Sequence, residues 1–231
     1  MDVSKTIAIV AYQGVLADET EAFRFVLSRI PGARVVIVGE RTGIVAGPGG
    51  AQEVEATFNE VGATPDVVAV PGGLGCHRHV EIALWLRTIA PTWLLASSTG
   101  SALLAAAGLL RNSTAATHWL AGSILERHGA HPSPDRLVVA GPIVTCTGRA
   151  SAYDAALVVA RSFGGPQLVE RILAEIATAR EPAPPTPTRV PWRRRRRAGC
   201  TSTTVPPAIG QAVIVELELE DITDRGRARH G

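Results

Sequence analysis

Within residues 1–180, short runs of β-branched and apolar residues alternate with longer stretches whose apolar side chains recur at helical spacing. That alternation restricts the chain to a sheet wrapped by helices. Most of the short runs are apolar throughout, as strands covered on both faces are, so the sheet is expected to be largely parallel. Strands are expected at 6–11, 33–38, 67–70, 93–96, 137–139 and 143–146. Helices are expected near 18–29, 77–89, 100–109, 120–127, 150–162 and 167–179. In the first helix Ala22, Phe23, Val26 and Leu27 share one face, the stripe that lies against a sheet.

A length of 231 residues with 46% hydrophobic and 19% charged residues suits one domain with a sizeable core and is cramped for two. The longest apolar stretch, near 102–110, falls well short of the roughly 18–20 residues a membrane span needs. No membrane role is expected. The amino-terminal residues lack a basic segment followed by an apolar run of secretory length, and a cytoplasmic location is the expectation. Cys76, Cys146 and Cys200 are far apart and odd in number, which supports neither a disulfide framework nor a metal site.

Residues 1–180 carry 14 basic and 15 acidic groups, whereas 181–231 carry 9 and 6, so the positive charge is confined to the end of the chain. It centres on five consecutive arginines, Arg193 through Arg197, just after a proline-rich segment. The expected organisation is an α/β domain over 1–180 followed by a Pro/Arg-rich linker and tail, largely disordered, over 181–231. Nucleic-acid binding is not expected beyond weak, salt-sensitive contact through those arginines. Only 212–219, which alternates apolar and acidic residues in its second half, suggests a further strand.

Four motifs carry chemistry. Trp93-Leu-Leu-Ala-Ser97 reads as a strand and Gly100-Ser-Ala-Leu-Leu-Ala-Ala-Ala-Gly-Leu-Leu110 as a small-residue helix, which leaves Ser97-Ser98-Thr99 for a sharp strand-to-helix turn. Such a nucleophile elbow needs small residues two before and two after the exposed side chain, and Ala96 and Gly100 meet that need around Ser98. Amides at the helix start supply an anion or oxyanion site there, although Ser and Thr before a helix also serve as simple N-caps. Asp66-Val-Val-Ala-Val-Pro-Gly-Gly-Leu-Gly75 runs a strand into a turn whose glycines permit close approach of a ligand, or merely a tight connection. Glu19 opens the first helix, on the side of the sheet where strands end, and an acidic residue there also suits the helix dipole. His118 follows the elbow helix by a short loop in Thr114-Ala-Ala-Thr-His-Trp119.

The order and residue types of these motifs resemble the ThiJ/PfpI superfamily, a branch of the class I glutamine-amidotransferase-like fold, over about residues 6–180. The resemblance rests on Gly14-Val-Leu-Ala-Asp-Glu-Thr20, Val70-Pro-Gly-Gly73, the segment from Ala96 to Leu110, Ala116-Thr-His-Trp119 and Thr147-Gly-Arg-Ala-Ser-Ala-Tyr-Asp154. It implies a flavodoxin-like parallel-sheet sandwich with a nucleophile elbow, no cofactor, and a homodimer. Within the superfamily the chain looks most like isonitrile hydratases and the sensor domains fused to AraC-type regulators. The resemblance places the family's nucleophile at Ser98, its acidic residue at Glu19, its site histidine at His118, and ligand-holding backbone at Gly72, Gly73 and Thr99.

One departure matters. The family nucleophile is normally a cysteine activated as a thiolate, and this chain has Ser98, whose hydroxyl needs a paired base. Cys76, just past the glycine turn, is the nearest thiol in sequence. Two readings follow from the resemblance: a lyase that hydrates a small isonitrile to an N-substituted formamide, or a catalytically silent small-molecule sensor linked to transcription regulation. A generic hydrolase or glyoxalase activity is a weaker third. In each, Ser98 is expected at a strained, positive-φ elbow close to Glu19.

Overall fold

A computed structural model describes residues 4–179. Arg193 to Arg197, Cys200 and the possible strand at 212–219 lie outside the described residues. In chain order the elements are β1 (Lys5–Val10), α1 (Ala17–Leu27), β2 (Ala33–Gly39), β3 (Gly43–Gly47), β4 (Gly50–Val54), β5 (Ala56–Thr57) and α2 (Phe58–Val61). There follow β6 (Val67–Val70), α3 (Val80–Leu86), β7 (Trp93–Ser97), α4 (Ser101–Ala106), β8 (Thr114–Ala116) and α5 (Gly122–Arg127). The last are β9 (His131–Ser133), β10 (Leu137–Ala140), β11 (Ile143–Cys146) and α6 (Arg149–Ala179).

Seven strands form the central sheet in the order β10, β11, β7, β6, β1, β2, β5. All neighbours run parallel except β10 and β11. Every residue of β6 and β7 is buried, which explains their uninterrupted apolar sequence. Helices α1 and α6 pack on each other, α6 also packs on β7 and β11, and α4 packs between α3 and α5. The chain leaves β1 towards β2 on one side and leaves β6 towards β7 on the other. That reversal opens a crevice at the carboxyl ends of β1 and β6, where open α/β sheets place their ligands.

Local chemistry accounts for where elements stop. α4 ends at Ala106, short of the expected 109, because Gly108 takes φ +81°. The Leu109 amide then donates to Leu104 O at 3.0 Å and the Gly108 amide to Ala105 O at 2.9 Å, the paired bonds of a Schellman cap. The helix expected at 77–89 is divided into a 3-10 turn, Cys76–Arg78, and α3, because His79 at φ −87°, ψ 76° is not helical. α6 is two helices joined at Gly165, φ +71°, with Pro166 starting the second. The antiparallel hairpin of β3 and β4 has no counterpart among the expected strands; its glycine-rich, mostly exposed sequence lacks the apolar density of the others.

The strand-to-helix crossing after β7 depends on Gly100. A Cβ there would stand 2.3 Å from Val70 O and 2.9 Å from Pro71 O, both backbone atoms that a side-chain rotation cannot clear. Replacing Gly100 with Ala is therefore expected to destabilise the domain by about 1–3 kcal/mol or more, the size of an overpacking defect. At Gly122 in α5 the nearest atom to a built Cβ is Pro132 Cγ at 3.8 Å. Gly122→Ala is expected to be neutral or mildly stabilising, as alanine favours helix. Denaturant midpoints of the two variants check the pair, and equal midpoints would remove the steric argument for the crossing.

Candidate functional site

Three connections meet at the crevice: the loop between β1 and α1, the Pro71-Gly-Gly-Leu74 turn after β6, and the elbow after β7. Backbone bonds lace the first two together. The Leu16 amide donates to Gly72 O at 2.8 Å, the Leu74 amide to Gly14 O at 2.9 Å, and Val15 bridges Gly73. Gly14, at φ +93°, lies so close beneath Leu74 that a Cβ would stand 2.6 Å from its carbonyl oxygen. Tyr12 braces the same turn by donating its buried hydroxyl to Pro71 O at 2.9 Å.

Ser98 sits at the elbow with φ +53°, a left-handed conformation that serine rarely adopts. It is 4% exposed. It opens a single 3-10 turn, Ser98–Gly100, that leads into α4. The strained backbone is held from the far side by Thr117, whose hydroxyl donates to Ser98 O at 2.9 Å. Ser101 ties the start of α4 to β8 by donating to Ala116 O at 2.8 Å, and the Ala116 amide in turn donates to Thr145 Oγ1 at 2.8 Å.

Glu19, in the first turn of α1, is 3% exposed. Its Oε2 accepts from the Gly72 amide at 2.8 Å and from the Ser97 hydroxyl at 2.6 Å. Burial pushes the Glu19 carboxyl above the ordinary glutamate range; the two donors and His118 pull it back, while Asp18 adds to the rise. A Cβ on Gly72 would stand 2.7 Å from Ser98 Cβ, 3.0 Å from Ser98 Oγ and 3.0 Å from Glu19 Oε2. Gly72 thus lies between the hydroxyl and the carboxyl, and a residue with a Cβ would press on both. Beside them, Cys146 at the end of β11 is buried, and desolvation with the Glu19 charge pushes its thiol up to about 12.

The structure therefore brings Ser98, Glu19 and Gly72 together. Gly73 and Thr99 are joined to each other: the Gly73 amide donates to Thr99 Oγ1 at 2.9 Å, and that hydroxyl donates back to Gly73 O at 3.0 Å. The amides of Gly72 and Gly73 both donate within the protein, to Glu19 and Thr99. His118 is half-buried at the head of the turn Trp119–Ala121, and its Nδ1 accepts from the Leu120 amide at 3.4 Å. Its charge reaches Glu19, yet among the described residues no hydrogen bond joins it to Ser98. Cys76 is buried and donates its thiol to Thr99 O at 3.2 Å. Among the described residues no group of three or more His, Cys, Asp or Glu side chains is placed to hold a metal ion.

Three participants gave no functional signal in sequence. Ser97 reads as the last residue of a strand, Thr117 as a neighbour of the histidine, and Tyr12 as loop. Each acts through one hydroxyl on a partner far along the chain, at separations of 78, 19 and 59 residues.

Comparison with known proteins matches this architecture. The DJ-1/PfpI family matches residues 5–162. Isonitrile hydratase from Pseudomonas putida is 32% identical over 165 residues, which cover 69% of this chain and 72% of that protein. Among solved structures, a THiJ/PfpI family protein from Pseudomonas syringae superposes with a TM-score of 0.72 at 22% identity, over 82% of this chain and 80% of that one. An AraC family transcriptional regulator from Pseudomonas putida superposes with a TM-score of 0.66 at 15% identity, over 74% of this chain and 99% of the other. At these identities the two structures speak for the fold alone: mixed α/β with a mostly parallel central sheet. The match to residues 5–162 and the identity to the hydratase together assign the chain to the DJ-1/PfpI family.

Proposed function

We propose that the chain hydrates a small isonitrile, R–N≡C, to the formamide R–NH–CHO, with Glu19 as the proton-transfer group and Ser98 as the group that orients water. The observation that carries this reading is that Ser98 Oγ and Oε2 of the buried Glu19 carboxyl each stand 3.0 Å from the point where a Cβ on Gly72 would lie, so both line the same small space. The likeness to isonitrile hydratase supports the choice of substrate class. A protonated carboxyl gives its proton to the terminal carbon of the isonitrile, leaving a nitrilium ion. Water held by Ser98 adds to that carbon and returns a proton to the carboxylate, which yields R–N=CH–OH, and tautomerisation gives the formamide. The proton that the water returns restores the carboxyl, so the net change is the addition of one water to the isonitrile. Ser98 orients rather than attacks, since no base is hydrogen-bonded to it among the described residues, and a hydroxyl without one is a poor nucleophile.

Such a mechanism requires Glu19 protonated. Turnover is expected to be highest on the acidic side and to fall as pH rises through the raised value of Glu19. Glu19→Gln, which cannot release a proton, is expected to lower kcat by about 10²-fold or more. The same carboxyl gives stability a matching sign: the folded state holds the proton more tightly than the unfolded chain, so stability declines as pH rises from the ordinary glutamate range through the raised one. Glu19→Gln flattens that slope. Loss of the isonitrile infrared band with purified protein measures turnover, and wild-type activity equal to that of Glu19→Gln would overturn the mechanism.

The serine itself favours a second reading, in which the site binds a small neutral molecule without turnover, as a sensor for a regulatory partner. The AraC-family structure shares this fold, which is compatible with such a use. Saturable calorimetric binding of an isonitrile with no formamide formed, together with activity gained in Ser98→Cys, decides for it. We also read the chain as a cytoplasmic homodimer. Light scattering at micromolar concentration is expected to give twice the chain mass, and a monomer contradicts it.

A further inference from the structure

Glu19 has two oxygens, and the protein treats them differently. Oε2 receives two donors, the Gly72 amide at 2.8 Å and the Ser97 hydroxyl at 2.6 Å. Oε1 has neither, and lies 3.7 Å from the point where a Cβ on Gly148 would stand. A neutral carboxyl carries its hydrogen on the oxygen that is not already receiving donors, because two hydrogens directed at one lone-pair region repel. We infer that Ser97 is a positioning residue: by loading Oε2 it holds the transferable proton of Glu19 on Oε1, at the Gly148 face of the site, and limits how tightly that proton is kept.

The geometry leaves Ser97 little else to do. Its side chain is fully buried at the end of β7, and the Glu19 oxygen is the hydrogen-bond partner of its hydroxyl. Its strand neighbour across the ladder is Cys146, whose thiol burial keeps neutral. The hydroxyl donates to the ionised carboxylate more strongly than to the neutral acid, so removing it favours the protonated form. The other groups that face Glu19 are Tyr12, Asp18, His118 and Cys146; Asp18 is in turn paired with Arg149 at 3.8 Å. None of them is altered by a change confined to the Ser97 hydroxyl.

This inference rests on Glu19 being the proton-transfer group, and its test separates the two. The probe is the carbonyl stretch of protonated Glu19, read by infrared difference against Glu19→Gln as pH is varied, with no substrate present. Ser97→Ala is expected to move the Glu19 titration upward by about one pH unit, the size of one charge-assisted hydrogen bond, and to shift the band as the second donor is lost. Ser97→Cys, a weaker donor of similar volume, is expected to fall between Ala and wild type, which a general loss of packing does not produce. With an alkyl isonitrile as substrate, Ser97→Ala is expected to shift the pH profile in parallel and to lower kcat about tenfold with KM little changed. An unmoved titration in a folded Ser97→Ala protein overturns the inference, as does an equal shift in Ala and Cys. A moved titration in a protein that hydrates no isonitrile leaves Ser97 in this role and removes the proposed reaction instead.

Discussion

Everything at the crevice depends on backbones passing closer than side chains allow. Gly100 runs over the carbonyls of Val70 and Pro71, Gly72 lies under Ser98 and Glu19, and Gly73 lies against Tyr12 and Gly14 O. Each contact is too short for a Cβ, so three glycines draw the ends of β6 and β7 and the start of α1 to within one side chain of one another. The hydroxyl of Ser98 and the carboxyl of Glu19 then both border Gly72 although 79 positions separate them in the sequence. The donors that a buried carboxyl requires are part of the same arrangement, since one of them is the Gly72 amide itself.

That arrangement is held under strain. A non-glycine residue at φ +53° costs on the order of 1–3 kcal/mol, and a buried carboxyl costs more unless its lone pairs are satisfied. The offsets are local: Thr117 fixes the Ser98 carbonyl, Ser101 and Thr145 fix the segment that carries Thr117, and Ser97 and Gly72 satisfy Glu19. Around them lies a continuous apolar core that includes Ile7, Phe23, Leu27, Leu95 and Leu104. The rigid sheet supplies the stability from which the site draws.

Much of the fold was legible because the sheet is buried on both faces. The runs at 67–70 and 143–146 coincide with β6 and β11, β2, β7 and β10 each run one residue further than expected, and β1 lies one residue earlier. The β3 and β4 hairpin was not legible, since it is held by its antiparallel ladder and by contact with the Gly14 loop rather than by an apolar pattern of its own. At the site, the elbow serine, the glycine pair and Glu19 stood out because their residue types are set by steric or charge demands that sequence displays. The hydroxyls of Ser97, Thr117 and Tyr12 did not. A hydroxyl acquires meaning only from the atom it faces, and here that atom lies on another element.

The two margins of the sheet bear on how the protein behaves in a crowded solution. A long exposed strand margin is a template on which another chain can pair and grow into a fibre. Here one margin is β10, folded back antiparallel on β11, and the other is β5, only two residues long. Where β2 extends beyond β5, Glu55 takes the place of a neighbouring strand: its amide donates to Ile37 O at 2.9 Å and its carboxylate accepts the Ile37 amide at 2.7 Å. A single acidic residue thus blunts the ladder with a negative charge and guards against self-templated aggregation in a sheet otherwise rich in β-branched residues.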